Sequence, residues 1–376
     1  MLYYIGYYSC DSIAEEKRSA NPAAANKMGY LIHALGEALN EPFTVVSPAG
    51  TKEHRFFRGS CAKLPGGVFL RTFPTFSSKH RLLRGGGHLL TRLSFLLYLL
   101  LKVRREEHLL VYHSLAYQNV IRWICKLKKC RLTIEVEEIY SDVTGNTRQR
   151  ESEINYLQTA DSYLYITELL RNEVDAQKAS VLYHGTYRAL PDYGMRFDDD
   201  RIHVVYAGTF RKAKGGVYTA IAAAEYLDHR YTLEILGGGS EEENAAVQEL
   251  IREVSEKTKC KIKYVGYKSG KDFDSYIQAC HIGLSTQQAV SKFNATSFPS
   301  KVLMYMSNGL RVVSVRIPAV ETSAVGDRVY YYDKQDPKEI ARVIRSVTLD
   351  DGYDSRAHLN VLHRNFVEQL KRLLNG

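Results

Sequence analysis

NATSFPSKVLMYMSNGLRVVS, residues 294–314, is the stretch on which the fold assignment turns. A polar loop covers 294–297. Pro299 suits the first turn of a helix, where its missing N–H would be unpaired in any residue. Val302, Leu303, Tyr305 and Met306 then mark one face of a short helix over 300–308. Gly309 stands where a helix end wants a left-handed residue. LRVVSV, from Leu310, is a buried strand. The order is loop, helix, glycine stop, strand. It aims a helix N-terminus, with Ser300 and Lys301 in its first turn, at whatever lies outside the sheet. Free N–H groups and a positive dipole end make that an anion site, and a diphosphate fits it.

The same alternation runs outward in both directions. From 202, IHVVYAG reads as a strand, Lys214-Gly215-Gly216 opens a helix reaching 227, and TLEILGGG is a strand with a glycine turn. An amphipathic helix over 241–257, the strand KIKYVGY, a helix over 272–279 and the strand HIGLST follow. Beyond the opening stretch come a strand over 329–332, a helix over 337–346 and a helical tail over 355–374. The first half repeats the pattern. Strands are expected over 2–9, 43–47, 68–73, 109–113, 131–136, 162–166 and 181–183, with helices over 27–39, 89–105, 116–127, 151–159 and 168–175. Residues 137–142 read as a polar loop at a strand's carboxyl end. Pro, Gly and an acidic run make 188–201 a linker. The domains are therefore 1–187, 202–350, and a last helical segment 351–376. Alternating strands and helices make each half a doubly wound α/β domain.

Composition agrees with this. A chain of 376 residues has room for two ordinary domains. Cys10, Cys61, Cys125, Cys130, Cys260 and Cys280 form no CxxC pair, which points to a reduced, cytoplasmic compartment and no metal centre. MLYYIGYYS carries neither a charged leader nor a cleavage site, so it reads as a first strand. The longest apolar run, LSFLLYLLL over 93–101, is too short to span a bilayer and is expected as a buried core helix. Charge is uneven. Residues 52–131 hold 17 Lys and Arg against three acids, a net of +14, so the rest of a +9 chain sums to −5. Such a cationic lobe attracts anionic lipid, nucleic acid or diphosphate. No nucleic-acid motif accompanies it, so no specific nucleic-acid partner is expected.

The opening stretch also resembles the donor-binding segment of retaining nucleotide-sugar glycosyltransferases of GT-B architecture, of the glycosyltransferase family 4 type. Phe298, the helix, Gly309 and Val312-Val313 match that pattern. So do YAGTFRKAKGG, LEILGGG and KIKYVGYKSGKDFDSYIQACHIGLST, in order and spacing. Two glutamates that usually mark the segment are replaced by Thr296 and Met304, and the arginine of the glycine–arginine motif by Thr209. The resemblance implies two Rossmann-like domains facing a cleft, the first on the acceptor side and the second binding the nucleotide sugar, with the final helix crossing back to the first. It implies retaining transfer from a nucleotide sugar, a UDP-sugar, to a saccharide or a lipid-diphosphate-linked acceptor in bacterial capsule, exopolysaccharide or O-antigen assembly. No cofactor or metal is implied. The implied setting is cytoplasmic, on the inner face of the cell membrane, with the anionic membrane surface as a partner. The alternative is a catalytically degenerate binding subunit of the same fold.

Such a transferase must stabilise charge growing on a leaving diphosphate, which preorganised cations and N–H dipoles do. The resemblance points to Lys214 as the phosphate cation, and the Gly-Gly after it allows close backbone approach; the alternative is a helix-start surface lysine. Arg211, Lys212 or Lys301 supplies the cation missing at Thr209. Gly208, Thr209, Gly238, Tyr267, Thr296, Ser297, Phe298 and Ser300 complete the donor set, Tyr267 near the base. His113, ending the strand LLVYH, is a catalytic candidate or a structural histidine. Asn26 and Lys27, at the expected helix start, are acceptor contacts, or Asn26 is a helix cap. Glu137 and Glu138 point oppositely from a strand end, so only one can face a ligand, and Glu138 is the acceptor candidate. In a front-face mechanism the leaving phosphate takes the acceptor proton, so no carboxylate base is required.

Overall fold

Hydrophobic strands separated by helices bury both strand faces, and the parallel sheet is the arrangement that satisfies them. The structure, a computed structural model, describes residues 1–39, 41–212, 215–287, 297–350 and 352–376, without the side chains of residues 22 and 147. The chain divides into two compact units, Met1–Thr186 with Arg364–Gly376, and Tyr187–His363.

The first unit runs β1 (Leu2–Ile5), α1 (Pro22–Ala38), β2 (Thr44–Ser47), β3 (Cys61–Lys63), β4 (Phe69–Thr72), α2 (Arg81–Lys102), β5 (His108–Tyr112) and α3 (Gln118–Lys128). It continues with β6 (Arg131–Val136), α4 (Tyr140–Thr144), α5 (Thr147–Leu157), β7 (Ser162–Tyr165), α6 (Glu168–Val174) and β8 (Ala179–Leu182). The sheet order is β3-β4-β2-β1-β5-β6-β7-β8, parallel except for the β3–β4 edge pair. Tyr30, Tyr183 and Phe366 stack in its core, with centroids 4.9 Å apart for Tyr183–Phe366 and 6.0 Å for Tyr30–Phe366. Phe366 thus ties the end of the chain to this unit, and Arg131 Nη2 donates to the Leu373 carbonyl at 2.7 Å.

The second unit holds β9 (Ile202–Thr209), α7 (Gly216–Ala223), β10 (Tyr231–Gly238), α8 (Glu241–Ser255), β11 (Lys261–Gly266), α9 (Gly270–Gln278) and β12 (Ile282–Ser285). Then come α10 (Ser300–Ser307), β13 (Arg311–Val315), α11 (Pro318–Glu321), β14 (Val329–Tyr332), α12 (Pro337–Arg345) and α13 (Ser355–Asn375), whose last turns belong to the first unit. The order β11-β10-β9-β12-β13-β14 is parallel throughout. Ser240 and Glu243 close a reciprocal capping box on α8, which fixes where that helix starts.

Several elements differ from the sequence expectation, and three of them show why: one through its own cap, two through distant partners. Helix α1 begins at Pro22, capped by Asn21, whose side chain accepts the Ala23 N–H at 2.9 Å. Proline at the first position and three alanines sustain the extra turn. Helix α2 begins at Arg81 and runs through Gly85, Gly86 and Gly87. The missing side chain of Gly87 lets the helix lie against the backbone of Phe76, whose carbonyl oxygen a Cβ would overlap. Residues 140–144 form α4 where a polar loop was expected, because Glu153 of α5 accepts the N–H groups of Tyr140 and Ser141 at 2.8 and 2.9 Å.

The apolar run over 93–101 is only half buried. Phe95 and Leu99 are inside, whereas Leu93, Leu97 and Leu101 are 55, 55 and 72% exposed. Eight apolar residues in nine cover every side of a helix, and among the described residues only one side is packed away from solvent. No helix among the described residues is long and apolar enough to cross a membrane.

Gly87→Ala should lower stability by about 1–3 kcal/mol, since backbone cannot yield to the added methyl. Gly86→Ala, whose Cβ would meet only the Phe76 ring edge at 3.8 Å, should instead raise it by roughly 0.5–1 kcal/mol. Urea unfolding midpoints of the two variants check the opposite signs.

Candidate functional site

In open parallel sheets a ligand crevice forms at the carboxyl ends of strands where the order reverses. In the second unit that point lies between β9 and β12, since the chain winds outward from β9 to β10 and β11 on one side and from β12 to β14 on the other. The two strands pair only at Ile282–Val204 and Gly283–Val205 and then part. Tyr305 of α10 occupies the fork. Its hydroxyl accepts the Ala207 N–H at 2.9 Å and donates to the Leu284 carbonyl at 3.2 Å. Its ring lies against Gly283, where any side chain would collide with it.

Tyr305 fixes the helix whose first turn carries Lys301. The Lys301 ammonium lies 3.8 Å from the Tyr206 ring centroid, a cation–π contact. It also sits over Gly208, where a Cβ would come within 2.5 Å of it. The Tyr206 hydroxyl donates to the Thr209 carbonyl at 3.2 Å, and Thr286 donates to the Gly216 carbonyl at 2.6 Å. Gly237, at φ +130°, brings β10 so close to Gly208 that no side chain fits between them. The strand ends, the start of α7 and the first turn of α10 therefore meet around the Lys301 ammonium and a floor of glycine backbone. That arrangement can hold an anion by charge and by N–H dipoles.

Of the residues expected here, Gly208, Thr209 and Lys301 are brought together. Ser297 and Ser300 flank the start of α10, half-buried and exposed respectively, while Phe298 is buried in the core beneath it. Arg211 is exposed on the loop after β9. Gly238 has only Asn244 within 4 Å of a would-be side chain, so it makes no close approach of the Gly237 kind. Tyr267 follows the edge strand β11 and is 80% exposed. Lys214 and Thr296 lie outside the described residues.

In the first unit the order reverses between β1 and β5. Lys27, in the second turn of α1, forms an ion pair with Glu137 just past β6. Beneath them, Tyr4 donates to Glu135 at 2.6 Å and Tyr183 bonds the same carboxyl, with Glu137 3.4 Å from the Tyr183 hydroxyl. Burial, reinforced by the neighbouring Glu137 charge, pushes the Glu135 carboxyl up to about 8 against the pull of the two tyrosine hydroxyls. Glu135 therefore carries its proton at neutral pH, and Lys27 and Glu137 form the charged tip of a buried network.

The structure decides the cap alternative for Asn26 and adds a partner for Lys27. Asn26 is exposed in the second turn and caps nothing, because the cap is Asn21. The carboxylate that engages Lys27 is Glu137; Glu138 instead offers its carbonyl to His113 Nδ1 at 3.3 Å. His113 itself is fully buried, its Nε2 3.4 Å from Glu153. Burial drives its pKa down to about 4 despite that carboxylate, so the ring is neutral and braces the backbone around Glu138. A position with no exposed surface gives His113 no access to a reacting group. Sequence reading assigned no site role to Glu135, Tyr4, Tyr183, Tyr206 or Tyr305; the one visible sign was a glutamate between Ile134 and Val136 in the strand RLTIEV.

The fold and these carboxyl-end sites define a class, the GT-B architecture of two Rossmann-like α/β units. Residues 201–350 match the family described as glycosyl transferases group 1. The solved structures similar to this chain include the trehalose-6-phosphate synthase of Burkholderia multivorans, at 11% identity and TM-score 0.65, covering 99% of this chain and 94% of that one. The E. coli trehalose-6-phosphate structure with UDP-2-fluoro glucose has 11% identity and TM-score 0.62, covering 99 and 97%. The Anabaena Alr3699/HepE protein, solved with UDP and glucose, has 10% identity and TM-score 0.61, covering 100 and 98%. No curated protein matches the sequence.

Glu135→Gln tests the protonated carboxyl. A folded pKa raised from 4.5 to about 8 gives stability that is complete below about pH 4.5 and is lost as pH rises through 8. The amide oxygen can accept from one tyrosine hydroxyl while its NH2 donates to the other, and neither group titrates. The variant's melting temperature should therefore rise relative to the unaltered protein's across that window, with the two closest at its acid end.

Proposed function

We propose that the protein is a glycosyltransferase that takes a sugar from a nucleotide-sugar donor, a UDP-sugar, and transfers it with retention to a saccharide acceptor. The observation that carries this reading is Lys301, held over the glycine floor at the β9–β12 reversal inside the segment that matches the glycosyl transferases group 1 family. The donor's diphosphate would lie on the first turn of α10 against Lys301, near Gly208 and Thr209. The ammonium and the helix dipole stabilise charge as the glycosidic bond breaks. Lys214 is proposed as a second cation on the same phosphates, and no metal is needed. The exposed Tyr267 is proposed for the base. The acceptor is proposed to bind the first unit at the Lys27–Glu137 pair, which offers one donor and one acceptor group to sugar hydroxyls. Its finer form is a lipid-diphosphate-linked saccharide used in bacterial capsule or related polysaccharide assembly on the cytoplasmic face of the membrane.

A second reading rests on Met304. A thioether accepts hydrogen bonds only weakly, so this position cannot hold ribose hydroxyls as a glutamate would. The chain would then be a binding subunit that retains the nucleotide but has lost transfer.

Thermal shift against UDP, GDP, ADP, CMP and their common sugars tests both. A ligand at 100 times its Kd should stabilise by about 2.7 kcal/mol. Lys301→Ala should weaken the responding nucleotide by about 1.5–3 kcal/mol, roughly ten- to a hundredfold in Kd. Slow hydrolysis of the matching nucleotide sugar is expected. Binding without hydrolysis or transfer favours the subunit, and a folded protein silent to the whole panel rejects the donor site.

A further inference from the structure

We infer that the outer faces of α2 and α3 form an interfacial docking surface that seats the first unit on an anionic lipid bilayer. Helix α2 buries Gly87, Thr91, Phe95 and Leu99, a four-residue repeat that defines one face. Half a turn away, Leu89, Leu93, Leu97 and Leu101 repeat the same spacing and are all exposed, with Leu82 extending the ridge toward the N-terminus. At 1.5 Å per residue the helix is about 33 Å long. Solvent-facing apolar stripes of this extent mark a partner.

Helix α3 lies alongside and enlarges the surface. Arg92 donates to the Ala116 carbonyl at the approach to α3, the Phe95 and Tyr117 rings meet at 6.2 Å, and Lys128 Nζ donates to the Leu100 carbonyl at 2.9 Å. Its outer face presents Trp123, which is 50% exposed, and Leu127 one turn on.

Charge identifies the occupant. Helix α2 carries Arg81, Arg84, Arg92 and Lys102, and α3 carries Arg122, Lys126 and Lys128; neither holds an Asp or Glu. A leucine ridge with a tryptophan, flanked only by cations, is the composition of a helix lying in a bilayer interface. It has no acids to complement a second copy of itself, and leucines offer nothing to a nucleic-acid backbone. The arginines and the buried face keep α2 from spanning, so it lies in the plane of the membrane. This assignment rests on the helix surface alone and survives if the glycosyltransferase reading fails, because it is measured without donor or acceptor.

Trp123 is the chain's only tryptophan, so its emission reports this surface directly. The full-length protein is mixed with vesicles of phosphatidylglycerol and phosphatidylcholine, or of phosphatidylcholine alone, and followed by emission, acrylamide quenching and sedimentation. Expected are a blue shift, reduced quenching and co-sedimentation with the anionic vesicles, weakened by salt. Phosphatidylcholine alone should bind at least about tenfold more weakly, as should Leu93→Ser combined with Leu97→Ser. Both positions are exposed, so the double variant should keep its melting temperature. Unchanged emission with no sedimentation overturns the proposal. So does a wild-type dimer in gel filtration that ignores vesicles and dissociates in the double variant, since that gives the face to a second copy.

Discussion

The hydroxyl of Tyr305 is the interaction on which the second unit's site depends. A parallel sheet whose strand order reverses must part its two central strands, and parting strands leave backbone groups unpaired. Here those groups are the Ala207 N–H and the Leu284 carbonyl, and one phenol answers both. The solution has a structural corollary. Gly283 must lack a side chain so that the ring can reach the fork. The ring in turn fixes the rotation of α10, and that rotation sends Lys301 toward Tyr206 and Gly208. A requirement of backbone hydrogen bonding therefore delivers a cation to the crevice that the topology opens.

The fold was legible in the sequence because its signals are local and repeated. Strand segments such as LLVY, 109–112, and VVYA, 204–207, are continuous apolar runs, and the glycines and caps between strands punctuate helices at the right intervals. Gly309, at φ +90°, takes the left-handed role read from the sequence. What escaped were features set by distant partners. Helix α4 exists because Glu153 of another helix accepts its free N–H groups. The start of α2 crosses three glycines because Gly87 packs on Phe76. Local propensity opposes that helix, and tertiary contact overrides it.

The site was legible only where it coincided with a motif. Lys301 was visible as the first-turn residue of a helix that follows Pro299. The tyrosines were not, since Tyr is frequent here and nothing in its spacing separates a core ring from a polar bridge. Glu135 shows the same difficulty in the first unit. Its strand reads as ordinary core, yet it carries a carboxyl that stays protonated because burial and Glu137 outweigh two hydrogen bonds. His113 stood open in the sequence between a catalytic and a structural role, and its burial in a neutral state favours the structural one.

The replacements at Thr209 and Met304 gain meaning from this geometry. An arginine at position 209 would bring a second cation to a floor that Lys301 already covers from the α10 side. The Tyr206 ring face, with its hydroxyl directed to the Thr209 carbonyl, instead offers Lys301 a π-surface on which to rest. A cation thus reaches the strand end from the helix without a change of fold. Met304 lies one turn after Lys301 on that helix, and its carbonyl accepts the side-chain bonds of Ser307 and Asn308 that shape the helix end. Its hydrogen-bonding role in this helix therefore runs through the backbone carbonyl, and the half-buried thioether takes no part in shaping the helix end.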